Sequence, residues 1–180
     1  MPESIKYTIF STKWGYFGLA AGKSGILKTC LPGLGREKIA LYLLKNPESA
    51  QYDKHLLKAV QEEVIAYFEG TAVNFGLDLP IAMDGLSGFC RSVLTVCRGI
   101  SFGQTISYGQ LAERIGRSGA GRAVGRALAK NPAGLIIPCH RIVRSDGKIG
   151  GFSAIGGTGL KAKLIRHEHE IFRLNHASRL

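Results

Sequence analysis

Three short, largely apolar stretches, residues 6–11, 16–21 and 26–31, are separated by turn residues and predict three strands. Trp14-Gly15 and Gly22-Lys23-Ser24-Gly25 supply the turns between them. The period then lengthens. Residues 36–44 read as a helix that stops ahead of Pro47. Residues 53–68 read as a longer one, because Leu56, Leu57, Val60, Val64, Ile65 and Phe68 share a face, Asp53 stands at the cap and Gly70 follows the end. Residues 73–79 return to a strand pattern. An antiparallel sheet with helices on one side accounts for this half of the chain, an α/β domain over residues 1–80.

Pro80 precedes, and Gly85 lies within, a linker at residues 81–87. The pattern beyond it is mainly helical. Residues 88–98 form an apolar stripe with Phe89, Val93, Leu94 and Val96. Ser107 stands at the cap of a short helix over residues 108–115. A helix over residues 121–130 follows, with Val124 and Leu128 on one side and Arg122 and Arg126 on the other. Helix, glycine-containing turn and second helix make a helix-turn-helix pattern. Residues 135–143 are an apolar run that reads as a buried strand or extended segment. Residues 150–159 hold five glycines, and residues 160–170 read as the last helix. The second domain is thus expected over residues 88–170. A poorly ordered tail, residues 171–180, carries Arg173, His176 and Arg179.

Charge separates the two halves. Residues 1–86 hold nine Lys and Arg against nine Asp and Glu, whereas residues 87–180 hold fifteen against four, so the whole net charge of +11 lies in the second half. Arginine dominates there, and its planar fork binds oxyanions, which points to a polyanion, nucleic acid before membrane. No apolar run approaches the roughly 18 residues that span a bilayer, and the N-terminus lacks a signal-peptide layout. A cytoplasmic location, or a nuclear one in a eukaryote, is the expectation. The spacing of Cys30, Cys90, Cys97 and Cys139 suggests neither a metal site nor a disulfide framework.

The chemistry concentrates in the apolar run. Pro138, Cys139, His140 and Arg141 stand side by side. Pro138 lacks an N–H and ends regular pairing, which leaves the thiol at a break in structure. A thiol attacks as thiolate and needs a base or cation to form it; His140 is the nearest base, directly or through a water. From these residues alone Cys139 reads equally well as a reactive thiol or as an inert core cysteine.

Pro138-Cys139-His140-Arg141 is similar to the active-site signature of the O6-alkylguanine-DNA alkyltransferases. The similarity extends from about residue 89 to residue 168. It takes in Ser107-Tyr108-Gly109-Gln110-Leu111-Ala112, Gly121-Arg122-Ala123-Val124-Gly125, Asn131-Pro132, Gly150-Gly151-Phe152-Ser153 and Leu164-Ile165-Arg166-His167-Glu168. The resemblance implies a ribonuclease-H-like α/β domain with a largely structural role, then a winged-helix-like domain that enters the minor groove. It implies direct-reversal repair of double-stranded DNA: O6-alkylguanine, and O4-alkylthymine with it, is flipped from the duplex and gives its alkyl group irreversibly to Cys139. It assigns catalysis to Cys139, His140, Glu168, Tyr108 and Asn131, with Glu168 orienting His140, Tyr108 donating to the leaving guanine and Asn131 bracing the turn. DNA contact falls to Arg122, which fills the gap in the stack, and to Ala123, Gly125, Arg126, Arg141 and Ser107. Pro138, Gly134, Phe152 and Ser153 form the base pocket. The implied protein is a monomer that needs no cofactor or metal and makes no membrane contact.

Without the resemblance, His167 and His169 compete with His140 as the base, and Glu168 is one acid among several. Phe152 stands where many relatives have tyrosine, and Gly134 where some have proline, a change expected to widen the pocket. Three other readings compete. One is a lesion-binding, non-catalytic alkyltransferase-like protein, against which Cys139 argues. A helix-turn-helix regulator would normally dimerise, and a Cys–His–Glu hydrolase leaves the basic half unexplained.

Overall fold

The structure, a computed structural model, describes residues 4–44 and 46–177. Two compact units divide the chain: residues 1–84 with Pro132–Gly134, and residues 85–131 with 135–180.

The first unit is built on β1 (Ile5–Thr12), β2 (Gly15–Gly22) and β3 (Gly25–Cys30), which form an antiparallel meander. Helix α1 (Arg36–Leu43) packs its buried Ile39 and Leu43 over β2 at Gly18, where a Cβ would collide with both side chains. A strand not predicted from the sequence, β4 (Ala50–Tyr52), joins the far edge of β1 in parallel, so the sheet is mixed and its order is β3-β2-β1-β4. Helix α2 spans Lys58–Glu69 and ends at Gly70 in the left-handed region.

Three expectations fail in this unit. Asp53 does not cap α2. Its carboxylate accepts from the His55 amide and pairs with Lys6 at 3.0 Å, and the chain turns through Leu57 at φ 50° before the helix starts. Leu56 and Leu57 therefore precede the helix. Residues 73–79 are irregular rather than a strand, although Val73 and Phe75 are buried. Side-chain burial made that stretch look strand-like, while the backbone bridge to β3 forms later, between Ile81 and Ile26. Pro132–Gly134 belongs to this unit through Thr29, whose amide donates to Pro132 O at 2.9 Å and whose hydroxyl donates to Gly134 O at 2.9 Å.

The second unit begins with α3 (Gly88–Arg98), capped by Ser87 and burying Cys90, Val93, Leu94 and Cys97. Strand β5 (Ile106–Ser107) leads straight into α4 (Tyr108–Arg114). Ser107 caps that helix in a capping box, its hydroxyl accepting from the Gln110 amide while Gln110 accepts from the Ser107 amide. After a tight connection, α5 (Gly121–Leu128) buries Val124, Ala127 and Leu128. The apolar run that follows is not a strand. Leu135 takes φ 77°, and Cys139–Arg141 coil into one 3-10 turn before β6 (Ile142–Val143) pairs in parallel with β5. That pairing sets the start of α4 beside the cysteine segment.

The last helix, α6 (Gly157–Ala177), is longer at both ends than the pattern predicted. The expected tail is helical through Ala177, while Arg179 lies outside the described residues. None of the described helices is long and apolar enough to cross a membrane.

Gly18→Ala should cost roughly 1–3 kcal/mol, the usual penalty of overpacking a core. Urea unfolding of the two proteins checks this, and an unchanged midpoint would mean that α1 lifts from the sheet without penalty.

Candidate functional site

The site lies within the second unit, and α6 builds its floor. Lys161, Leu164 and Glu168 fall on one face of that helix and are all buried. Glu168 receives four donors. His140 Nε2 lies 2.6 Å from Oε1, Arg141 Nε donates to Oε2 at 2.9 Å, Arg141 Nη2 to Oε1 at 3.1 Å, and the Gly103 amide to Oε2 at 3.0 Å. Burial opposes its charge, yet the hydrogen bonds of His140 and Arg141 and the guanidinium charge outweigh it and hold the carboxyl well below the usual range.

An ionised Glu168 accepts the Nε2 proton of His140, so Nδ1 keeps the basic lone pair. Burial, followed by the nearby cations, pulls the imidazole below its ordinary value against the pull of Glu168, which keeps it neutral and basic at pH 7. Nδ1 is buried with no hydrogen-bond partner among the described residues.

Cys139 is 8% exposed and lines a cavity of about 920 Å³. Asn131 Nδ2 donates to Ile137 O at 2.9 Å and to Cys139 Sγ at 3.2 Å, so one amide braces the turn and touches the thiol. Burial pushes the thiol up from its ordinary value. Asn131, the charge of Lys161 and the amides of Cys139 and His140 pull it partly back.

Across the cavity stands Tyr108, whose ring packs on α5 at Gly125 and on Gly150. A Cβ on Gly125 would lie 3.6 Å from the ring, and one on Gly150 would collide with the hydroxyl. The phenol lies 3.4 Å from Gly151 O and accepts from Lys161 Nζ at 3.3 Å. Burial, then the neighbouring Cys139, raises it from its ordinary value. Arg122 and Arg126 are exposed on α5 and line the cavity, as do Phe152 and Ser153 from the glycine loop.

Four sequence assignments land elsewhere. Arg141 is 3% exposed, with its guanidinium held by Glu168 and Ile100 O, and cannot meet DNA. Gly134 is not at the cavity: it packs on Leu31, whose Cδ1 would lie 2.8 Å from an added Cβ, so its lack of a side chain widens no pocket. Pro138 is buried behind the cysteine, off the lining. The Ser107 hydroxyl is engaged in the cap. Ala123 is half-buried on α5, and on α6 His167 is half-buried and His169 exposed, whereas His140 is the histidine bonded to Glu168. Lys161 was missed. Its spacing of three from Leu164 and seven from Glu168 is the signal that marks it as inward-facing. Among the described residues no His, Cys, Asp and Glu cluster could hold a metal ion.

Residues 88–170 match the family model described as 6-O-methylguanine DNA methyltransferase, DNA binding domain. A methylated-DNA–protein-cysteine methyltransferase of Methanosarcina acetivorans is 33% identical over 90% of this chain and 97% of its own length. The chain belongs to the methylated-DNA–protein-cysteine methyltransferase family. The mouse protein of that name is 45% identical, over 57% of this chain and 50% of its own length, so the match spans only half of that relative. A protein of Thermus thermophilus called a DNA base-flipping protein is 40% identical over 76% of this chain and 86% of its own. Among solved structures, Mycobacterium tuberculosis OGT in complex with DNA superposes with a TM-score of 0.74 at 29% identity, covering 92% of this chain and 94% of that one.

Glu168→Gln should destabilise the protein by about 3–5 kcal/mol, because Arg141 is left buried without its counter-charge. The folded carboxyl is more acidic than an unfolded glutamate, at about 4.3. Its contribution is therefore full above that value and is lost as pH falls through it toward the folded one. Urea midpoints between neutral pH and pH 3 should drop more steeply for the unmutated protein than for the variant.

Proposed function

We propose that this protein repairs alkylated DNA by direct reversal, moving the alkyl group from guanine O6, or thymine O4, onto Cys139. The observation that carries this is a cavity lined by Cys139, the arginine-bearing α5 and the glycine loop, with Asn131 bonded to the Cys139 sulfur and the next residue, His140, paired with Glu168. The partner is double-stranded DNA. A base stacked in a duplex is out of reach of a buried thiol, so the nucleotide must leave the stack, at a cost of a few kcal/mol. Arg122, exposed at the cavity rim, fills the gap. Gly125 and Ala123 allow the backbone of α5 to approach the groove, and Arg126 meets phosphate.

His140 takes the thiol proton at Nδ1 through a bridging water, and Glu168 stabilises the imidazolium. The thiolate attacks the alkyl carbon in line as the C–O bond breaks, and Tyr108 donates to a ring nitrogen of the leaving guanine. The product is a thioether that no group in the site can cleave, so each molecule acts once. The reading extends to a monomer acting in the cytoplasm, or in the nucleus of a eukaryote. The fold fits a ribonuclease-H-like unit followed by a winged-helix-like one, supported by the β1–β3 meander with parallel β4 and by the small β5–β6 pair beside α4 and α5.

The test is intact-protein mass after mixing with a duplex that holds one O6-methylguanine. A gain of about 14 Da is expected, the mass of a methyl group replacing a proton, and none in Cys139→Ala. Lesion binding without the gain would instead mark a lesion-binding protein. Arg122→Ala should slow duplex repair at least tenfold, roughly the factor that 1.4 kcal/mol of lost extrusion support represents. It should leave reaction with the free modified base unchanged, and equal losses on both substrates would count against the gap-filling role.

A further inference from the structure

Thr29 stands next to the last residue of β3, the edge strand of the first sheet, and is 4% exposed. Both of its donors go to one short stretch of chain. The amide donates to Pro132 O and the hydroxyl to Gly134 O, each at 2.9 Å. Pro132–Gly134 folds with the first unit, while the residues on either side, Asn131 and Leu135, fold with the second. Asn131 is the residue that touches the thiol, donating to Cys139 Sγ at 3.2 Å and to Ile137 O at 2.9 Å. Leu135 holds φ 77°, a left-handed conformation that a leucine keeps only where its surroundings impose it. Here they do: the Leu135 side chain is buried, and the carbonyl just before it is fixed by Thr29. Ala133 is buried as well, and Gly134 packs against Leu31, two residues after Thr29. So confined, Gly134 cannot shift without turning the Leu135 peptide or dragging the backbone of Asn131.

We infer that Thr29 is a positioning residue for the alkyl transfer: by fixing Pro132 O and Gly134 O it holds the turn in which the Asn131 amide meets the Cys139 sulfur. This rests on the transferase reading above. Thr29 lies off the cavity lining and acts through Asn131. Without the hydroxyl, Gly134 O loses that donor, Leu135 relaxes toward an ordinary conformation, and the Asn131 amide drifts from the sulfur. An amide bonded to sulfur favours the thiolate over the thiol, so its loss withdraws support from the attacking form. The other groups that face the sulfur stay in place: Tyr108 from α4, Cys97 from α3, Lys161 from α6 and the His140 amide of the same turn. The first unit thereby takes part in the chemistry of the second through one strand residue.

The test compares Thr29→Val, which keeps the side-chain shape without the donor, Thr29→Ser, which keeps the donor, Asn131→Ala and the Thr29→Val/Asn131→Ala double variant. One readout is the single-turnover rate of methyl transfer from a duplex that holds O6-methylguanine. The other is the pH midpoint at which Cys139 reacts with iodoacetamide, located by peptide mass and scaled to each variant's own high-pH plateau so that altered access cancels. Thr29→Val should transfer about tenfold or more slowly at unchanged DNA affinity, since a small displacement near reacting atoms acts on that scale. Its pH midpoint should rise, because the thiolate is the reactive form. Thr29→Ser restores the hydrogen bond and should return to within about threefold of the parent rate. Adding Thr29→Val to Asn131→Ala should change the rate less than about twofold, since residues acting as a unit are not additive. Thermal midpoints show that each variant is folded at the assay temperature, and Thr29→Ala replaces Thr29→Val if the valine protein is not. Parent speed in Thr29→Val, an unmoved pH midpoint, a Thr29→Ser protein as slow as Thr29→Val, or additive losses in the double variant each overturn the inference. A slower transfer matched by an equal loss of DNA affinity overturns it too. Absence of transfer by the unmutated protein would instead remove the transferase reading, and the iodoacetamide midpoints would still decide whether Thr29 holds Asn131 against the sulfur.

Discussion

One buried carboxylate holds the second unit in its working shape. Glu168 gathers the imidazole and guanidinium of the 3-10 turn and the amide of Gly103, from three points of the chain, onto one face of α6. Such a group is favourable only when every lone pair is used, and here both oxygens are. The same bonds fix the tautomer of the imidazole, because the ionised carboxylate accepts a hydrogen bond from Nε2–H and leaves the lone pair on Nδ1. Stability and reactivity therefore depend on a single interaction, and neither can be altered at Glu168 without the other.

Helix α6 acts as a ruler. Lys161 and Glu168 are seven residues apart, two turns or roughly 10 Å along the axis, and both face inward. One places a cation against Tyr108 and the other an anion against His140, so the phenol and the imidazole are held from two points of the same helix. The glycine loop before α6 contributes backbone: Gly151 O receives the ammonium, and Gly150 gives the phenol its room.

The features legible in the sequence are local ones. Turn glycines between short apolar runs place the three-strand meander, and the Ser107–Gln110 spacing writes the cap of α4 directly into the chain. What the string hides is set by distant partners. The run after Asn131 has the composition of a strand, yet the Asn131 amide reaches Ile137 O and bends it, and Leu135 adopts a conformation no propensity predicts. Arg141 looks like a surface cation until a carboxylate 27 positions later claims it. Gly134 reads as part of the pocket because it is close to Cys139 in sequence, but Thr29, 105 positions away, holds it in the other unit. Leu57 shows the same effect on a smaller scale: an apolar residue in helical register sits outside the helix because the chain turns left-handed there.

Charge composition points to a polyanion in spite of this burial, and the reason is instructive. Two of the basic residues in the second half, Arg141 and Lys161, are internal, and one of its few acids, Glu168, is internal with them. Removing buried charges of both signs leaves the surface excess nearly as large, so the composition still reports the exterior. The interior set works in the opposite sense. Burial raises the free Cys139 thiol and so protects it from casual reagents. The same low-dielectric surroundings strengthen the pull of Lys161 and Asn131 on a thiolate once it forms. A sulfur that is sluggish alone and supported once it ionises suits a protein whose cysteine accepts an alkyl group once.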